Sequence, residues 1–319
     1  EIQRYLNEWK YDGPLSLKYP FKVDGLEKGR RVLLVMEYPE RCKIKVNGKE
    51  VEYDGLPAWR DFRWMPIDIS KHIVQGDNAI ELYYQNFKHG DPTIVKPAFD
   101  RYGTEIESIY LVGDFSVSAQ ATGEHPVQGA FKTFGLNAPK VEVLRRDSLA
   151  LCPPRAISKD KGDVSLQGLP FYTGKLKYSA SIRDLKVPHG ARAIVEIGSL
   201  DCPVAEVVVN GRRAGILQSH PLRVDITDCM AGDITNIDII LYASLRNLLG
   251  PHHNKQGELA ACGPTDFYSR FTHSPNLHEI KEKLDKWGRG EFLPKDWNDG
   301  YCVHSLGEIG DVRLKLVTR

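Results

Sequence analysis

The sequence predicts an all-β protein made of two tandem antiparallel β-sandwiches, the second carrying a long loop and helix insertion. Three observations lead there. First, one plan is written twice. Ile44-Lys45-Val46-Asn47-Gly48-Lys49-Glu50-Val51, Ile67-Asp68-Ile69-Ser70, Gly76, Asn78 and Ala79-Ile80-Glu81-Leu82-Tyr83-Tyr84 are matched by a second series. That series is Val207-Val208-Val209-Asn210-Gly211-Arg212-Arg213-Ala214, Val224-Asp225-Ile226-Thr227, Gly232, Asn236 and Ile237-Asp238-Ile239-Ile240-Leu241-Tyr242. Each series reads as a strand, a tight Asn-Gly turn tolerant of positive φ, a returning strand, an Asp-led helical turn and a further strand. Second, turn residues recur at short intervals and helical periodicity is almost absent outside one segment. Third, 319 residues exceed one comfortable core and fit two domains of roughly 150 residues each.

Taken in order, residues 1–14 form an N-terminal segment that ends in the breaker Asp12-Gly13-Pro14. Residues 15–120 form the first sandwich. Leu15, Leu17, Tyr19 and Phe21 alternate with Lys18 and Lys22, whereas Val32-Leu33-Leu34-Val35-Met36 is dense enough to be covered on both faces. After the first copy of the motif, Ile109-Tyr110-Leu111-Val112 closes the unit. Residues 121–164, punctuated by Gly and Pro, are expected to be an irregular linker. The second sandwich spans 165–319, opening with Leu176, Tyr178, Ala180 and Ile182 in alternation and closing with Val312, Leu314 and Leu316. Between Tyr242 and that closing strand lies the insert 243–301, with an amphipathic helix expected over 276–287. A long ordered insertion in a compact domain is more often functional than not.

Composition narrows the function. Lys and Arg number 43 against 42 Asp and Glu, and no basic stripe stands out, which argues against nucleic acid or an anionic membrane surface as partner. The apolar runs are strand-sized. The chain begins at Glu1 without Met or an apolar leader, which points to a fragment and leaves the compartment open between bacterial cytoplasm and secretion. The six cysteines are dispersed, without a C-x-x-C pair, and read as isolated thiols.

The sequence V-N-G, then I-D-I-S or V-D-I-T, then G-x-N and an apolar strand resembles the galactose-binding-like jelly-roll domains that accompany family 2 and rhamnosidase-type glycoside hydrolases. The second copy departs by three residues between Gly232 and Asn236. The resemblance covers the sequence from about residue 20 onward. It implies that the catalytic acids sit in a barrel of alternating strands and helices, a pattern this sequence lacks. The protein would then be a C-terminal accessory region, with an oligo- or polysaccharide and the catalytic domain of the same polypeptide as its partners. No cofactor is expected, although jelly rolls of this kind leave room for a structural calcium ion.

Candidate residues follow. Asp68 and Asp225 read as caps of short helical segments rather than as catalytic or metal-binding carboxylates. Trp59-Arg60-Asp61-Phe62-Arg63-Trp64 offers aromatic faces for sugar C–H groups and guanidinium groups for hydroxyl pairs. On a strand Trp59, Asp61 and Arg63 would share one face, and Trp64 the other. Trp59 and Arg63 are therefore candidate carbohydrate contacts, as are Arg246, His252, His253, Trp297, Asp299 and Tyr301 of the insert. His252 and His253, adjacent on extended backbone, make a poor chelating pair and read first as loop packing. Glu258, Asp266 or His273 could complete a site with one of them. Two rival readings stand beside the accessory one: a structural or dimerisation module, and a hydrolase with its own carboxylate pair among Glu258, Asp266, Glu279, Glu282, Asp285, Glu291, Asp296 and Asp299.

Overall fold

The computed structural model describes residues 6–7, 9–90, 103–124, 140–230, 233–250, 252–253 and 298–318, and over these it is all-β. The chain divides into two compact units, Glu1–Ser118 with Leu149–Arg155, and Ala119–Ser148 with Ala156–Arg319.

In the first unit β1 (Gly13–Val23) keeps the expected alternation, burying Leu17 and Val23 and exposing Lys18 and Lys22. It pairs antiparallel with β6 (Gly76–Phe87), Pro20 opposite Ala79. Beyond β6 lie β3 (Lys43–Val46) and its hairpin partner β4 (Lys49–Val51). On the other edge β10 (Ala150–Cys152) runs parallel to β1 and is followed by β8 (Ser116–Ser118), giving the order β4-β3-β6-β1-β10-β8. A second sheet places β2 (Val32–Met36) between β5 (Met65–Asp68) and β7 (Tyr110–Gly113). All five residues of β2 are buried, as its dense apolar run requires. Side chains of both sheets, among them Leu17, Leu34, Val46, Ile67, Ile80 and Leu82, form one core. Each such burial is worth about 1.5–3 kcal/mol against exposure.

The second unit repeats the strand order. Its larger sheet is β11 (Lys175–Arg183), β16 (Ile234–Tyr242), β13 (Val204–Val209) and β14 (Arg212–Leu217), which correspond in turn to β1, β6, β3 and β4. Its smaller sheet sets β12 (Ala191–Ile197) between β15 (Arg223–Asp225) and β18 (Val312–Thr318), as β2 lies between β5 and β7. A separate pair joins β9 (Val141–Leu144) to β17 (Tyr301–His304). Residues 121–164, expected to be irregular, thus contain β9 of the second unit and β10 of the first. β18 closes its sheet as expected, yet Val312 and Leu316 stay largely exposed, so only Leu314 reaches the core. Among the described residues no helix is long and apolar enough to cross a membrane.

The repeated motif proves to be a hydrogen-bonded clamp. Asn47 and Asn210 take φ 51° and 49°, and Gly48 and Gly211 follow at 76° and 77°, the left-handed pair that a two-residue hairpin turn demands. Each Asn carboxamide then reaches the neighbouring strand: Asn47 Oδ1 accepts Ala79 N–H at 2.9 Å, and Asn210 Oδ1 accepts Asn236 N–H at 2.9 Å. Ala79 therefore corresponds to Asn236, and the counterpart of the buried Asn78 is the buried Thr235, not Asn236 as the matching of the two series had it. The shift has a simple cause. Register is set by the clamp and the strand pairing, and in both copies the clamped residue follows the turn aspartate at the same distance, Asp68 to Ala79 and Asp225 to Asn236, so the buried place before it holds Asn78 in one and Thr235 in the other.

Asp68 and Asp225 also act locally, but one position earlier than a cap. The residues at the cap position are Ile69 and Ile226. Asp68 Oδ1 accepts Ser70 N–H at 2.9 Å and its hydroxyl at 2.5 Å; Asp225 Oδ1 accepts the same groups of Thr227 at 3.0 and 2.6 Å. The oriented hydroxyls in turn accept Val32 N–H and Ala193 N–H, each at 2.9 Å, tying the single turn to β2 and β12.

Candidate functional site

Two clusters of candidate residues emerge, one within each unit. In the first unit, residues 59–64 form a turn rather than the expected strand. Trp59 N–H donates to Trp64 O at 2.8 Å, Arg60 is left-handed at φ 61°, and Asp61 Oδ1 accepts Arg63 N–H at 2.9 Å. An aspartate that bonds the backbone two residues on favours a turn over an extended run. Because the backbone reverses, Trp59 and Trp64 do not point to opposite faces. They stack, with ring centroids 5.6 Å apart and planes 14° from parallel, and Tyr110 of β7 lies 5.1 Å from Trp64. Both indoles are half-buried.

Charged groups surround this stack. The Arg60 guanidinium lies 5.1 Å from the Trp59 ring, and that of Arg63 lies 5.2 Å from the ring of Phe62, which is 75% exposed at the tip of the turn. Burial, reinforced by Glu37 and Glu105, raises the Glu107 pKa, while Arg63 opposes the rise. Burial likewise raises the Tyr110 phenol, with Glu107 and Glu37 adding to it. A ring stack bordered by guanidinium groups and carboxylates offers an apolar face next to hydrogen-bond donors and acceptors.

In the second unit, the single-turn helix Arg246–Leu249 ends at Gly250, φ 86°. Asn247 is buried on it, and its carboxamide donates to His304 O and accepts His304 N–H, both at 2.8 Å, standing in for a strand beside β17. The backbone of His252 and His253 lies along the same stretch: Cys302 N–H donates to His252 O at 2.7 Å and Asn298 N–H to His253 O at 2.8 Å. Gly300 lets the turn before β17 pack against β9, since a Cβ there would fall 2.5 Å from Val143 Cγ1 and 2.8 Å from the Leu144 carbonyl oxygen.

Tyr301 gathers the two imidazoles. Its ring lies 4.8 Å from His253, 5.5 Å from His252 and 5.7 Å from Phe171. His252 Nε2 meets Asn247 O at 2.7 Å; His253 Nδ1 meets Asn298 O at 3.0 Å and Gly300 O at 3.1 Å. Carbonyl oxygens only accept, so the ring nitrogens facing them carry hydrogen. Burial lowers the His252 pKa, with the charge of Arg246 acting in the same direction. Burial also pushes the Cys302 thiol up to about 11, which leaves it unreactive. Among the described residues no group of three His, Cys, Asp or Glu could hold a metal ion.

The candidates thus sort themselves. Arg246, His252, His253 and Tyr301 come together, with Asp299 exposed on the adjoining turn. Trp59 and Arg63 share the turn in the other unit. Trp297, the helix expected over 276–287, His273 and every insert carboxylate considered except Asp299 lie outside the described residues. Sequence reasoning missed Trp64, Tyr110, Phe171 and Asn247. The Asp61 turn signal could have brought Trp64 in. Phe171 is distant in sequence and carries no local mark.

No protein-family model and no curated protein matches this sequence. Among solved structures, its neighbours are glycoside hydrolases of the family 2 and rhamnosidase kinds. A rhamnosidase from Novosphingobium sp. is 17% identical over 74% of this chain and 18% of its own, with a TM-score of 0.24. A family 2 glycosyl hydrolase from Bacteroides cellulosilyticus is 10% identical over 73% and 24%, with a TM-score of 0.23. The β-glucuronidase of Ruminococcus gnavus is 14% identical over 75% and 34%, with a TM-score of 0.26. These scores are low, and the alignments span between about a fifth and a third of the length of these three structures.

Proposed function

We propose that the protein is a non-catalytic, glycan-contacting region of a larger glycoside hydrolase. Its two units are jelly-roll domains of the galactose-binding-like kind that support a catalytic domain in the same polypeptide. The aromatic stack of Trp59, Trp64 and Tyr110, bordered by Arg60, Arg63 and Glu107, carries this reading. Sugar rings present C–H faces that stack on indole, and hydroxyl pairs that suit guanidinium and carboxylate groups. The repeated motif and the shared strand order support the domain assignment.

Isothermal titration of the protein with a panel of plant and microbial oligosaccharides tests it. At least one glycan is expected to bind, and Trp59→Ala and Trp64→Ala are each expected to weaken that binding by about tenfold, equivalent to about 1.4 kcal/mol. Silence across the panel, or undiminished binding by both variants, would overturn the sugar contact. One observation favours the rival structural module: Phe62 stands 75% exposed beside Arg63, as an anchor for a protein surface would. Under that reading Phe62→Ser alters the sedimentation coefficient and leaves glycan titrations unchanged.

A further inference from the structure

The two Asn-Gly turns are chemically identical and structurally unequal. An Asn-Gly pair converts spontaneously when the glycine backbone nitrogen, having lost its proton to hydroxide, attacks the asparagine Cγ. The new bond from that nitrogen to Cγ closes a five-membered imide, the bond from Cγ to Nδ2 breaks, and ammonia leaves. Water then opens the imide to aspartate or isoaspartate. Reaction requires the carboxamide to leave its hydrogen bonds and swing onto the next residue, so the strength of those bonds sets the rate.

At the first turn the carboxamide is fully engaged. Asn47 Nδ2 donates to His72 O at 2.9 Å and to Asn78 Oδ1 at 2.8 Å, while Oδ1 accepts Ala79 N–H at 2.9 Å. Asn78 is itself buried and locked by Val74 N–H at 2.9 Å and by donation to Val74 O at 2.7 Å. At the second turn the acceptor side is kept, Asn236 N–H at 2.9 Å, but among the described residues Nδ2 meets Cys229 O alone, at 3.4 Å. Thr235 occupies the place of Asn78, and Asn210 is exposed where Asn47 is half-buried. Neither Gly48 nor Gly211 has a neighbour within 4 Å of where a Cβ would stand, so crowding at that point of the turn does not distinguish them.

We infer that Asn210 is a site of spontaneous deamidation and isoaspartate formation in the folded protein, and that Asn47 is protected. Conversion sets a negative charge at the tip of the β13–β14 hairpin and removes the donor to Cys229 O. The isoaspartate product also lengthens the backbone within the turn. This inference is independent of any glycan binding.

The full-length protein, incubated folded in mildly alkaline buffer at physiological temperature, is sampled over time, digested and followed by mass spectrometry at both sites. A parallel incubation in denaturant removes the structure. Asn210 is expected to convert several-fold faster than Asn47 when folded, and the two at similar rates when unfolded, since a basic residue follows each Asn-Gly pair. Equal rates in the folded protein, or faster conversion at Asn47, would overturn the inference. So would an unchanged ratio in denaturant, which would place the cause in the sequence.

Discussion

The two units are built on one set of hydrogen bonds and finished differently. In both, an asparagine clamps a hairpin to the neighbouring strand, and an aspartate orients a hydroxyl that ties a single turn to the opposite sheet. Around that shared frame the first unit adds β10 and β8 beside β1, and a tryptophan-bearing turn between β4 and β5. The second keeps four strands in the corresponding sheet and places its extra length between β16 and β18. The frame is therefore where equivalence should hold, and the additions are where a distinct role belongs.

The largest expected contrast lies at the paired closing strands. Val32 faces Gly113, and its counterpart Ala193 faces Leu316. A Cβ on Gly113 would fall onto the Arg31 carbonyl oxygen, so Gly113→Ala is expected to cost the first unit about 3 kcal/mol. Leu316 is 45% exposed, and Leu316→Ala should stay within about 0.5 kcal/mol. Scanning calorimetry of both variants checks this, and equal losses would break the assigned correspondence. Next come the clamps. Replacement by Gly, which keeps the left-handed conformation accessible, should cost about 2–3 kcal/mol at Asn47, where buried Asn78 loses a partner, and about 1 kcal/mol at Asn210. Smaller still, Ser70→Ala and Thr227→Val should each cost about 1 kcal/mol, and a marked inequality would mean that the two hydroxyls are not equivalent.

The smallest effect is confined to the second unit and to acid. The folded pKa of His252 lies below its unfolded value of about 6.5, so the unfolded state takes up the proton first. The contribution is fully present above that pH and is lost as pH falls through the folded pKa. His252→Gln should flatten the pH dependence of the second unit's melting in that window and leave the first unit's unchanged.

Much of the frame was legible because it rests on local rules. Alternation at Leu15–Phe21, the dense run at Val32–Met36 and the Asn-Gly turns each state their conformation in a few residues. Two things escaped. The shared Gly and Asn residues matched Asn236 to Asn78, whereas counting on from Asp68 and Asp225 leads to Ala79 and Asn236, the pair that the two carboxamides clamp. On extended backbone Trp59 and Trp64 would take opposite faces; the bond from the Arg63 backbone to Asp61 turned the segment instead, and the rings met. The cluster around Tyr301 was half legible. His252, His253 and Tyr301 were marked, while Phe171 arrives from elsewhere in the sequence and Asn247 works through its carboxamide in a place where a strand would be expected.

The parallel pairing of β10 with β1 bears on how the molecule is made. Leu151, which lies opposite Val23, leaves the ribosome after the whole of Ala119–Ser148, a stretch belonging to the other unit. During synthesis the first unit therefore cannot complete its larger sheet until part of the second has emerged, while β17, the partner of β9, is still to come. A gene truncated shortly after Ser118 would yield a polypeptide whose β1 edge is bare, and bare edges recruit other molecules. Expression designs cut at that point would aggregate, and one ending after Arg155 would leave β9 without β17, whereas one joining Ser118 to Leu149 through a short linker should stay in solution.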